Sequence, residues 1–222
     1  MRSGVSMIEL VFAIVIMGVA MMTIPTMLAQ SSAASLVSTQ QEAILAGTTK
    51  MGNVLSHSWD ANQTGIDRSR VLYTTDGDSA FNEHNSTYKT RRGHFIGDQR
   101  RRFADDNATS ASIGSGVTGN YVDAFIGNDN VLVSGSGEGD YIREYKTDTD
   151  VFFISDSLSS GSYDDSSITF TVSPTSSTPS TNIKYITVNV TSENPGEDDI
   201  SIQLFSFVSN IGQTDILSKE MQ

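Results

Sequence analysis

Few side chains in this 222-residue chain are arranged for chemistry. His57, His84 and His94 are its only histidines, and none stands in a metal-ligand or triad spacing. There is no cysteine, which excludes a disulfide, a thiolate metal site and a cysteine nucleophile. Gly114-Ser115-Gly116-Val117-Thr118-Gly119 matches the dinucleotide-binding pattern. It follows a polar stretch rather than a strand and precedes no helix, so it reads as a loop. Acidic, turn-rich stretches at residues 123–140, 148–156, 164–165 and 193–199 offer the hard oxygen ligands that Ca2+ takes. They lack EF-hand spacing and read as solvated loops. Glu193, Glu197, Asp198 and Asp199 are the densest candidates for a Ca2+ site. One basic stretch holds Lys89, Arg91, Arg92, Arg100, Arg101 and Arg102, with His94, Phe95 and Phe103 among them. Such a stretch suits phosphate backbones and stacked bases, or an acidic protein surface. The expectation is a chain that is not an enzyme and carries no cofactor beyond that Ca2+ candidate.

The net charge of −12 is unevenly placed. In residues 1–106 ten acids meet ten Lys or Arg, whereas residues 107–222 hold sixteen acids and four bases. An acidic C-terminal half argues against DNA as a partner. A basic connector and an acidic half on one chain are instead complementary. Repeated head-to-tail, such patches fix the register of an assembly.

The carboxylate that says most is Glu9, at the head of an uncharged apolar run over residues 10–29. About 20 such residues suffice to cross a bilayer as a helix. A carboxylate carried to mid-membrane costs about 2.5–3.5 kcal/mol on insertion scales. The simplest partner is a free amine one helical turn away. Val5 supplies one if the chain is cut after Gly4. An acid in a first helical turn is also favoured by the macrodipole, whatever its other role. Two plainer readings stand beside this one. One is a secretory signal peptide, with Arg2 as n-region and a cleavage end at Ala29 or Ala33; the other is an uncleaved signal-anchor helix.

The basic leader Met1-Arg2-Ser3, the glycine at 4 and the run Ser6-Met7-Ile8-Glu9-Leu10 together resemble the processing site of type IV pilins and of the pseudopilins of type II secretion. Val5 stands where that family usually begins its mature chain with Phe, and Pro25 falls one residue earlier than the family's helix proline. The resemblance implies a prepilin peptidase that cuts between Gly4 and Val5 and methylates the new amine. It implies Glu9 as the assembly carboxylate, other pilin or pseudopilin subunits as partners, and an inner-membrane assembly platform. It covers roughly residues 1–30 and is architectural beyond them.

These side chains need a long helix to carry them. Residues 1–4 are the expected leader, 5–29 the transmembrane and assembly helix, 30–59 its amphipathic continuation and 60–222 a β-rich globular domain. The continuation is read from Leu36, Val37, Gln40, Ile44, Met51, Val54 and Leu55, a stripe at steps of three, four and seven. The helix is expected to end near 56–59, and Pro25 to bend or loosen it. Residues 60–120 read as an irregular connector with one strand at 70–75. Further strands are expected at 121–126, 130–134, 151–155, 168–172 and 186–191, and another from Ile200. There, Phe205 and Phe207 break the alternation of Ile200, Ile202 and Leu204, which suggests a bulge or a strand buried on both faces. Residues 173–181 read as a mobile Ser/Thr/Pro-rich loop. The fold class is α+β, with the C-terminal half of a long helix packed on an antiparallel sheet in a pilin-like way.

The expected function is that of a filament subunit, a minor pilin or pseudopilin. It would wait in the inner membrane and enter a periplasmic or extracellular filament by helix packing. The contrasting reading is a membrane-anchored extracytoplasmic binding or adhesive domain that never polymerises. If Arg100, Arg101 and Arg102 are a subunit contact, replacing all three with Glu should reduce assembly and leave the globular domain folded. Normal assembly with loss only of DNA retention would favour nucleic acid instead.

Overall fold

The computed structural model describes residues 7–63, 71–82, 108–114, 119–127, 130–132, 143–163, 165–176, 180–192 and 199–212. Helix α1 spans Met7–Leu55, 49 residues, with Glu9 in its first turn. At 1.5 Å per residue it is a rod of roughly 75 Å. It continues as α-helix through Pro25. The turn around the proline carries added hydroxyl bonds: Thr23 Oγ1 donates to the Ala20 carbonyl at 3.0 Å and Thr26 Oγ1 to that of Thr23 at 2.8 Å. Such bonds help satisfy carbonyls near a residue that has no N–H to give. The helix ends at Leu55, where Ser56 N and Oγ and His57 Nδ1 gather on the Asn53 carbonyl. Those contacts satisfy a last-turn acceptor that the helix itself leaves open.

Among the described residues four strands follow: β1 (Asn130–Leu132), β2 (Tyr145–Ile154), β3 (Ile183–Ser192) and β4 (Ser201–Ser209). They pair antiparallel in the order β1-β2-β3-β4. The expected α+β arrangement of long helix and antiparallel sheet is therefore present. Its β2–β3 connection is long, from 155 to 182, so the antiparallel meander does not depend on short turns.

One face of the sheet meets α1. Val151, Ile186, Val188, Val190 and Tyr145 are buried there against Ala43, Met51 and Val54. Tyr145 donates its hydroxyl to the Thr39 carbonyl at 2.9 Å and to Glu42 Oε2 at 3.1 Å, which pins the start of β2 to the helix. The buried stripe differs from the expected one. It runs through Thr39, Ala43, Ala46, Gly47, Lys50, Met51 and Val54, while Val37, Ile44 and Leu55 are exposed. Close approach explains the change. A Cβ on Gly47 would lie 2.7 Å from Leu204 Cδ1 and 3.0 Å from Val190 Cγ2. Only small residues let the helix axis come so near the sheet, so size outranks apolarity in choosing the face.

Several expected strands take other forms. Residues 122–125 form a 3-10 turn, which buries Val122, Asp123 and Ala124 in succession where a strand would alternate them. Residues 168–172 make one bridge, Ser160↔Thr169, and leave Ile168, Phe170 and Val172 exposed. The segment at 71–75 makes isolated bridges, among them the parallel Tyr73↔Thr109, rather than a strand, yet Val71 and Leu72 are fully buried, so this part of the connector belongs to the core. In β4 neither a bulge nor two-sided burial occurs. The register with β3 is continuous, and Phe205 and Phe207 point away from the helix at 70% and 54% exposure. Phe205 stacks on Tyr185, with centroids 6.1 Å apart, and Tyr185 in turn meets Phe152 at 5.4 Å. Cross-strand aromatic pairing stabilises that outer face without covering it. The 173–181 loop is anchored at its end: Ser180 and Thr181 are buried, and Thr181 Oγ1 donates to the Ile154 carbonyl.

Two glycines of α1 test the close approach. Gly47→Leu should destabilise the domain by about 1–3 kcal/mol through overpacking against Leu204 and Val190. Gly52, with open space around it, should tolerate Ala and gain up to about 1 kcal/mol of helix propensity. Chemical denaturation of both variants checks this. Equal effects would mean that the helix does not press on the sheet at Gly47.

Candidate functional site

The first functional surface is the free part of α1. Residues 7–35 are exposed throughout, and burial begins only at Leu36 and Thr39. No charge lies between Glu9 and Glu42. This segment is long and apolar enough to span a membrane, and none of its most apolar 18-residue stretch is covered by the rest of the protein. Its apolar surface does not stop where a bilayer's thickness would be used up: Val37, Ile44 and Leu45 keep an apolar side outward while the opposite side packs on the sheet. Glu9 and Pro25 both sit on the free part. Gly4 and Val5 lie outside the described residues, so the amine expected to pair with Glu9 is not placed.

The second feature lies inside. Lys184 follows the inward phase of β3, in line with Ile186, Val188 and Val190. Its side chain is fully buried. Nζ is 2.7 Å from Asp123 Oδ1, 3.1 Å from Asp60 Oδ2 and 2.8 Å from the Trp59 carbonyl. Both carboxylates are fully buried as well. The ammonium lies 4.6 Å from the Trp59 ring centroid and 5.3 Å from that of Phe153. Removing one partner from a buried ion pair costs about 3–5 kcal/mol, because an uncompensated charge stays behind. The triad thus ties the exit of α1, the 3-10 turn and the middle of the sheet.

The two aspartates are held differently. Asp60 Oδ1 accepts the Asn62 and Ala111 N–H groups at 2.9 and 3.0 Å, and its Oδ2 accepts that of Ala111 at 3.2 Å. Asp123 Oδ2 is buried and meets no donor among the described residues. Burial first, then the negative charges of Asp123 and Asp60, push the nearby Tyr121 phenol above its usual range.

A second polar group closes the far side of the β2–β3 connection. Asp156 is buried and accepts Asn182 N and Nδ2 and Asp78 N. Asn210 holds Leu72 through both backbone groups and donates to Asn182 Oδ1. Tyr163 donates to Asp78 Oδ2 at 3.0 Å, and burial together with that bond pushes its phenol up to about 12. Asp123 and Asp156 are therefore buried anchors, where solvated acidic loops were expected; Asp148 and Asp150 lie on β2. Their burial has one cause: each has backbone or ammonium donors close enough to replace water.

The expected cation site lies mostly outside the described residues. Of its four candidates only Asp199 is described, and it is exposed. Among the described residues no three His, Cys, Asp or Glu side chains come together as metal ligands. Arg91, Arg92, Arg100, Arg101 and Arg102 also fall outside the described residues. His57 sits just beyond α1 against the Phe125 ring, 4.8 Å between centroids. The glycine-rich stretch begins with Gly114 at φ +76°, and no strand leads into it. Comparison with protein-family models, with characterised proteins and with solved structures finds no match to this chain.

Proposed function

We propose that the chain is a filament subunit of the type IV pilin or type II secretion pseudopilin kind, a minor pilin or pseudopilin. The observation that carries this reading is the division of α1: one stretch fully uncovered and apolar, the next packed on the chain's own sheet by one side only. A signal peptide is discarded and needs no such continuity with the domain. A simple anchor needs no apolar outer side beyond the membrane, yet Ile44 and Leu45 supply one. Helices laid side by side in a filament core would cover both stretches at once. In this reading a prepilin peptidase cuts after Gly4 and methylates Val5, the subunit waits in the inner membrane, and an assembly platform lifts it into the filament. Glu9 then meets the Val5 amine of a neighbour. That pairing is worth more than a surface ion pair because the alternative is a carboxylate facing hydrocarbon.

A membrane-anchored binding domain that never polymerises is the second reading, favoured by the uncovered Phe205 and Phe207 on the outer face of the sheet. In that case Glu9 would be a helix-start residue only.

The mature N-terminus tests the proposal. Mass spectrometry should find N-methylated Val5 with α1 retained whole; a chain beginning at Gln30 or Ala34 would mark a discarded signal peptide and refute the reading.

Glu9→Ala separates the two functions. It should insert in the membrane and be cut after Gly4 as usual, yet enter filaments poorly or only beside wild-type subunits. A sheared-surface or cross-linking assay, read against membrane abundance, decides; normal polymerisation would remove Glu9 from the assembly mechanism.

A further inference from the structure

Lys184, Asp60 and Asp123 meet the requirements of a reaction as well as those of an ion pair. We infer that Lys184 Nζ and the Asp60 side chain condense to an internal amide, with Asp123 as the proton carrier.

The amine is held at the acyl group: Nζ is 3.1 Å from Asp60 Oδ2, an oxygen bonded to the carbon that it must reach. Three parts of the setting favour bond formation. The Asn62 and Ala111 N–H groups already bind the Asp60 oxygens, so charge developing on the tetrahedral intermediate meets fixed donors. Asp123 Oδ1 is 2.7 Å from Nζ and its Oδ2 meets no donor among the described residues, so a proton drawn from the ammonium to Oδ1 neutralises a carboxylate that its surroundings only half satisfy. The side chains of all three residues are fully buried, with Trp59 and Phe153 beside the ammonium, so water is kept from reversing the reaction.

The atoms balance without a co-reactant. The Lys184 ammonium gives one proton to Asp123 and becomes a free amine. Asp123 passes that proton to an Asp60 oxygen, the amine attacks Cγ of the resulting carboxylic acid, and the new C–N bond forms a tetrahedral centre. That centre loses one Asp60 oxygen as water, carrying the proton passed on by Asp123 and a second from nitrogen. The amide keeps the third proton, and Asp123 ends as the carboxylate it began as. The buried charges fall from three to one, the Asp123 carboxylate, which keeps the new amide N–H beside its Oδ1 as a donor. A chain with no cysteine thereby gains a covalent tie between the exit of α1 and the central sheet, 124 positions apart. The inference does not depend on the filament reading, since the triad is internal to one chain.

The test is the mass of the full-length wild-type protein, extracted in detergent and digested with trypsin. The intact chain should be lighter than its sequence, allowing for N-terminal processing, by one water. Trypsin should fail to cut after Lys184 and should yield a branched peptide joining residues 51–68 to residues 147–219, with fragmentation placing the link at Asp60. Lys184→Arg should restore the full mass. Asp123→Asn keeps both reacting groups and should abolish the branched peptide or leave it at a small fraction of the wild-type yield. An intact mass with no water lost overturns the inference. So does a water loss that persists in Lys184→Arg, which would place it at a succinimide such as Asp76-Gly77. A branch to Asp123 in place of Asp60 overturns the assigned roles.

Discussion

A single ammonium in a dry pocket holds the architecture to one arrangement. Lys184 lies where the exit of α1, the 3-10 turn and the central strand converge, and it touches all three. Apolar contacts alone would let a helix slide along a sheet with little change in energy, since they are non-directional. A buried charge with two carboxylates and a carbonyl at fixed distances does not permit sliding. Whether its partners stay ionic or become covalent, this point sets where α1 leaves the sheet and so where its free portion projects.

The second constraint is size. α1 reaches the sheet through Thr39, Ala43, Ala46 and Gly47, which leaves the larger Ile44 and Leu45 on the outside. The same helix therefore offers two apolar sides over one length: a flat one for its own domain and a bulky one for other partners. A helix built the other way, with Ile44 and Leu45 inward, would bury more area in the monomer and have less to give an assembly.

How far the sequence disclosed this differs from element to element. The free part of α1 was legible because a long uncharged run has few alternatives, and β3 because Ile186, Val188 and Val190 alternate cleanly with polar residues. Counting back two positions along β3 puts Lys184 on the buried side, so its burial was within reach. Its partners were not, because Asp60 and Asp123 are 124 and 61 positions away and no local pattern joins them. The helix stripe was misjudged because apolar periodicity ranks Leu and Ile above Ala and Gly, whereas close packing selects the reverse. Phe205 and Phe207 were misread for a related reason: aromatic side chains in a strand suggest a core, and here they stack across the outer face.

That outer face ends in a strand with little protection. β4 lies at the edge of the sheet among the described residues and reads Ser-Ile-Gln-Leu-Phe-Ser-Phe-Val-Ser, without a charge or a proline. Edge strands elsewhere are usually guarded by lysine, proline or a bulge, since unpaired N–H and C=O groups recruit further strands. Here the ladder to β3 is regular, two phenylalanines stand exposed beside it, and mutual repulsion between chains of net charge −12 opposes strand-to-strand clumping. Screening sets the strength of that repulsion, and the Debye length shrinks to about 3 Å at 1 M salt. The colloidal behaviour of the isolated domain is thus tied to ionic strength: dispersed when dilute in salt, self-adhesive when concentrated in it.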